Sequence, residues 1–231
     1  MKIWQQILVA VLAVCCFVGI NPAEAAPSSP EWVASLEAAK DAKQMVVVAG
    51  VSGAAASISM HNRAEDGSWE QIMSTPGFIG VNGLGKDKEW NGKTPVGVFH
   101  FNRAFGLADD PGCALDYVKV DENYYWSGDA RPGMKYNQLV DIRELPALNV
   151  DVSEHLVYFA GRYDYCLNIS YNEEGVPGVG SAIFLQCFDK AMPFTGGGVA
   201  IPADKMRFVM ENVQPDCVVV IDSLNNLGGK F

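Results

Sequence analysis

Histidine is scarce in this 231-residue chain, with only His61, His100 and His155, and the six cysteines never fall into a C-x-x-C spacing. With so few imidazoles and no closely paired thiols there is no framework for a four-ligand zinc site, so neither a metal nor another cofactor is expected. Positive charge is also short: 17 Lys and Arg stand against 27 Asp and Glu, a formal net charge of −10. Nucleic acids and anionic lipid surfaces are held by clustered cations, so both are excluded as expected partners. After residue 26 no apolar run approaches the about 20 residues that a membrane-spanning helix needs. Internal repeats and low-complexity tracts are missing too, which excludes a solenoid.

What is present begins with an apolar run from Ile7 to Ile20, behind Met1-Lys2 and ahead of Asn21-Pro22-Ala23-Glu24-Ala25-Ala26. A short basic start, a brief apolar core and Ala-x-Ala predict a secretory signal peptide over residues 1–25, cut after Ala25. Cys15 and Cys16 suggest lipidation, but Val14 stands where a small residue is expected. Lys2 and Glu24 cancel, so residues 26–231 keep the charge of the whole. That remainder is long enough for one domain with a sizeable core and is expected in the periplasm or cell envelope, with no integral membrane span. Its cysteines, Cys113, Cys166, Cys187 and Cys217, permit up to two disulfides in three connectivities.

Residues 26–43 read as a linker and short helix, with Ser29 as cap, Pro30 at the first position, and Trp32, Leu36 and Ala39 on one face. From residue 44 to 231 the pattern is one of strands. Met45–Ala49 is an apolar run stopped by Gly50, and Ala56–His61 alternates with period two, as a half-buried strand should. Ser68–Met73 and Val96–Phe101 read similarly. Tyr163–Tyr171 and Ser181–Cys187 flank a turn-rich connection and predict a hairpin. Met206, Val209, Met210 and Val213 follow helical spacing after Pro202, and Cys217–Ile221 reads as a closing strand. The expected fold is mostly β, sandwich- or barrel-like, with a few short helices.

The most specific stretch is Gly180-Ser181-Ala182-Ile183-Phe184-Leu185-Gln186-Cys187, followed by Thr195-Gly196-Gly197-Gly198-Val199-Ala200-Ile201. It resembles the active-site signature of the L,D-transpeptidase (YkuD-type) family, which reads roughly G-S-A-I-F-L-H and T-x-G-C-V-A-I. Gly80–Gly85, Asn91–Phe99, Ala104–Gly106, Tyr136-Asn137, Glu154–Leu156, Tyr163–Tyr165 and Tyr171-Asn172 fall in the family's order. The resemblance therefore covers about residues 44–222, and it implies the family's β-rich fold. It also implies acyl transfer on peptidoglycan stem peptides, in which a cysteine thiolate attacks a peptide carbonyl and a histidine serves as base.

Both reactive positions differ. Gln186 replaces the histidine and Gly198 the cysteine. A glutamine amide is no base near neutral pH, and a glycine carries no nucleophile. The expectation is therefore an exported pseudoenzyme that keeps its cleft for stem peptides or an envelope protein, lined by Ser181, Thr195, Gly196, Gly197 and Val199. The alternative is a working transferase with a displaced thiol, Cys187 or Cys166. Neighbours on a strand face opposite ways, so Cys187 should look away from the cleft. If Leu167 pairs with Leu185 and Ile169 with Ile183, Cys166 shares the face of Gln186. Tyr124, Tyr125 and Trp126 are either exposed aromatics suited to stacking on a sugar or peptide, or part of the core. His155 points at the cleft or is a satisfied surface histidine, and Asp164 is an acid between aromatics or a residue that fixes a turn.

Overall fold

The computed structural model describes residues 26–230. The expected signal peptide lies outside the described residues. Within these residues, twelve strands and two short α-helices follow one another. Strands β1 (Gln44–Ser52), β2 (Ala55–Arg63), β3 (Trp69–Phe78) and β4 (Gly97–Gly106) are long. Five short ones follow: β5 (Tyr117–Lys119), β6 (Tyr124–Trp126), β7 (Leu139–Asp141), β8 (Glu154–His155) and β9 (Cys166–Ile169). The last three are β10 (Phe184–Cys187), β11 (Val199–Ile201) and β12 (Val218–Ser223). Helix α1 (Glu31–Ala34) opens the described chain and α2 (Ala203–Asn212) precedes β12.

The hydrogen-bonded order is β12-β1-β2-β3-β11-β10-β9-β4, and β12 pairs back onto β4. That last pairing closes the sheet into an eight-stranded, barrel-like ring, so neither of its would-be edges is left open to another chain. Strand β5 extends the far half of β4, and β7-β6-β8 form a separate small sheet. Most neighbours are antiparallel, but β1–β12, β10–β11 and β4–β5 are parallel.

The barrel interior is filled by side chains on alternating positions: Val46 and Val48, Ile58 and Met60, Leu167 and Ile169, Leu185 and Cys187. Helix α2 adds Met206, Val209 and Met210, with Val213 just beyond, and all four have no exposed surface. Each such apolar side chain contributes roughly 1.5–3 kcal/mol through burial. The hairpin register pairs Leu185 with Leu167 and Gln186 with Cys166, as the apolar pattern predicts.

Two local expectations fail for one reason. Ala56–His61 is not half-buried; from Ile58 to His61 both faces are covered, and His61 has no exposed surface. The outer face is covered by the N-terminal segment, whose Ser29 hydroxyl lies 2.7 Å from His61 Nδ1. Ser29 therefore does not cap α1, where Pro30 holds the cap position without a side-chain bond. The helix expected over this segment is split into α1 and a 3₁₀ turn, Glu37–Lys40, and Val33, Ala39 and Ala42 pack on Met45 and Val47. Strand β1 also runs past Gly50 to Ser52 through a register irregularity.

Candidate functional site

A cavity of about 570 Å³ lies between β10–β11, the Thr195–Gly198 loop, the small sheet and the loop at residues 86–90. Gln186 projects into it from β10 and is only 8% exposed. Gly198 lies opposite: a Cβ built on it would sit 3.6 Å from Gln186 Oε1. The two substituted positions of the signature thus face each other across one cleft. Among the described residues, the Gln186 amide has no hydrogen-bonding partner.

Gly198 is held more tightly than an open loop requires. A Cβ there would meet Phe184 O at 2.7 Å and Phe184 N at 3.2 Å, so even the smallest side chain needs backbone movement. Its carbonyl accepts from Thr195 Oγ1 at 2.6 Å and Thr94 Oγ1 at 3.2 Å. Thr94, fully buried, also accepts the Gly80 N–H at 2.8 Å and so ties the loops at Gly80 and Thr94 to the same carbonyl. Thr195 and Thr94 are thereby engaged as clamps. Gly197 and Gly196 line the cavity beside them, and Gly196 leaves open space for a ligand backbone. Val199 turns into the barrel interior instead, and Ala200 takes its place on the cavity wall.

Four carboxyl-bearing residues line the cavity, Glu89, Asp151, Glu154 and Asp189, and the sequence reading assigns none of them to the site. Glu89 accepts the Ser181 hydroxyl at 2.9 Å and the Tyr136 hydroxyl in a very short contact. Glu154 accepts the Tyr163 hydroxyl at 2.8 Å. Burial pushes the Glu154 carboxyl above its ordinary range, against the opposing pull of the Tyr163 bond and of Arg162. Lys86 lies on the same wall, its ammonium made easier to deprotonate by burial and held back by the Glu89 and Asp87 charges. Ser181 is thus committed to Glu89, which also holds the Tyr136 hydroxyl.

The aromatic run separates. Trp126 is 2% exposed, packs edge-on to Phe184 at 4.7 Å, and floors the cavity. Its indole N–H donates to Asn137 Oδ1 at 3.0 Å, and that oxygen also accepts the Ala182 N–H at 3.0 Å. Asn137 thereby fastens the small sheet to the entrance of β10. Tyr124 and Tyr125 do not line the cavity: Arg143 lies over the Tyr124 ring and His155 stacks on Tyr125 at 4.3 Å. His155 donates or accepts nothing toward the cleft, since Nε2 pairs with the Glu122 carbonyl at 2.8 Å. Asp164 accepts the Gly161 N–H at 2.9 Å and fixes a turn.

The thiols are withdrawn. Cys187 borders the cavity, but its side chain belongs to the barrel interior and burial raises its thiol to about 11. Cys166 shares the Gln186 face of the hairpin yet is packed under Phe105, Trp126 and Phe184, and burial holds it protonated well above the usual range. All four cysteines of the described residues are free thiols, and no three metal-binding side chains cluster among those residues.

No known protein family and no curated protein matches this sequence. Among solved structures it is similar to the crystal structure of the helical cell shape determining protein Pgp2 from Campylobacter jejuni. That likeness has a TM-score of 0.41 and 12% identity over 84% of this chain and 54% of the other. The K307A mutant of Pgp2 gives 0.39 and 12%, over 78% and 48%. This chain thus spans about half the length of those structures. A likeness so distant says nothing of activity or partners.

Proposed function

We propose that this chain is an exported cell-envelope protein on an L,D-transpeptidase-like barrel, whose cleft binds peptidoglycan stem peptides without acyl transfer. Residues 44–231 form the binding domain and residues 26–43 brace it. One observation carries the reading: Gln186 and Gly198, at the positions where the resembled signature has its base and its nucleophile, adjoin each other in a formed cavity. The amide of Gln186 suits a peptide group, because it both donates and accepts, and a peptide backbone needs both. Buried, protonated Cys166 and Cys187 support binding over catalysis, since the thiolate is the reactive form.

The test has two arms on the purified protein. Isolated peptidoglycan sacculi should pull it down, and soluble stem tetrapeptide should compete it off. Incubation with a carbapenem under native conditions should leave the intact mass unchanged. A stoichiometric covalent adduct would establish the displaced-thiol transferase instead, and failure to bind sacculi or tetrapeptide would remove the stem-peptide reading.

A further inference from the structure

Trp90 is the most exposed large apolar side chain of the described residues, at 87%, and it stands at the mouth of the cavity. It also occupies the left-handed region, with φ of 58°. An indole in water contributes little to folding, and a side-chain-bearing residue in that region costs backbone energy. Trp90 therefore carries two costs with no return inside the fold. Asn137, Asn172 and Ala182 share positive φ and each is fixed by hydrogen bonds to the elements around the cavity, while Lys135, also at positive φ, carries an exposed polar side chain that water solvates.

The loop around Trp90 is tied down on both sides. The Glu89 N–H donates to Gly178 O at 2.9 Å, and Asn82 Nδ2 donates to the Asn91 carbonyl at 2.9 Å. Asn91 Nδ2 donates to Asp87 Oδ1 at 2.8 Å, and Asn91 Oδ1 accepts the Lys93 N–H at 3.0 Å. These bonds hold the indole where it is rather than letting it fold back onto the barrel. Adjacent Glu89 points inward to Ser181 and Tyr136. One short loop therefore contributes a carboxylate to the cavity and a bare aromatic face to its rim.

An indole face pairs with the C–H face of a pyranose ring, whose hydroxyls then point edgewise to polar neighbours. Such neighbours exist here: Asp87 and Lys88 are exposed in the same loop. A purely apolar side chain on Trp90 would leave those groups poorly solvated, and a nucleobase on a polyanion is disfavoured by the net charge of −10. We infer that Trp90 is a saccharide platform, so that the cavity takes a sugar-linked peptide, with the peptide inside and a pyranose ring stacked on the indole. This rests on the stem-peptide reading of the cavity and narrows it from a free peptide to one still joined to its glycan.

The experiment measures dissociation constants of the full protein for an N-acetylated disaccharide–tetrapeptide and for the same tetrapeptide without sugar. The disaccharide–peptide should bind about fivefold to tenfold tighter, the gain expected of one aromatic stacking contact. It should also shield Trp90 from acrylamide quenching. Trp90→Gly removes the ring while keeping a backbone that tolerates positive φ, so the fold is retained. In that variant the ratio of the two affinities should fall to about one, whatever the change in tetrapeptide affinity itself, and Trp90→Tyr should restore part of the sugar advantage. Equal affinities of the native protein for the two ligands would overturn the inference while leaving the stem-peptide reading standing. An advantage that survives in Trp90→Gly, or an equal loss for both ligands, would overturn it as well. Binding of neither ligand would remove both proposals.

Discussion

Leu185 and Cys187 point from β10 into a barrel interior of aliphatic and thioether groups, whereas Gln186, between them, points into a polar cavity. The interior is closed, fully buried and free of titrating groups that lack a purpose in packing. The cavity holds Glu89, Glu154 and Lys86, an unpaired amide and a glycine pressed against a neighbouring backbone. Packing free energy resides in the first region and ligand chemistry in the second. The residues at 186 and 198 face the cavity and are not among the side chains that fill the barrel.

The contrast is open to direct attack. Leu167→Ala, in the interior with no exposed surface, should destabilise the protein by roughly 2–5 kcal/mol in denaturant unfolding. A loss under about 1 kcal/mol would mean that the barrel tolerates a cavity, and the interior would no longer be the stabilising region.

A similar magnitude is expected from pH at the barrel's outer wall. Burial lowers His61 from 6.5 to about 4, with Ser29 and Ser59 hydroxyls on its two ring nitrogens. The folded state resists protonation that the unfolded chain accepts, so stability is complete above pH 6.5 and falls as pH drops toward 4. The difference corresponds to about 3 kcal/mol at most. Unfolding midpoints of the native protein and of His61→Gln, compared at pH 7 and pH 4, should isolate it; equal acid losses in the two proteins would exclude the histidine as the cause.

Gly198→Cys tests whether the cleft has room for a thiol at this position. The inserted Cβ must displace Phe184, which should cost roughly 1–3 kcal/mol. Paired with Gln186→His it should remain unreactive toward a carbapenem by intact mass. Ready acylation of the double variant would show that the scaffold has kept its reactive geometry.

The smallest effect belongs to Gln186→Ala. Its amide has no protein partner among the described residues, so stability should change by less than about 1 kcal/mol, while stem-peptide affinity should fall about tenfold. A large loss of stability with unchanged affinity would reverse the division between the two faces of β10.

Much of this division was legible from one dimension. The pairing of Leu167 with Leu185 follows from apolar alternation, and it correctly puts Cys187 inside the barrel and Gln186 on the cleft side. The spacing of Met206, Val209, Met210 and Val213 marks the buried face of α2. Trp126, Tyr124 and Tyr125 were ambiguous, because an aromatic run has no period that distinguishes a core from a platform. Trp90 was missed although a signal existed: it is a lone aromatic among the turn residues Asp87-Lys88-Glu89 and Asn91-Gly92.

The sequence by itself determined the strand-rich class, the hairpin register and the presence of Gln186 and Gly198 in the signature-like stretch, because these depend on residue identity and local period. Only the tertiary structure decided the barrel's closure, in which β12 returns to pair with both β1 and β4 across more than half the chain. It also decided that Glu89, Glu154 and Trp90 share a cavity with Gln186, and that Gly198 has no space for a side chain. Local preference cannot report these contacts, since each joins residues distant in sequence whose approach depends on the packing of everything between them.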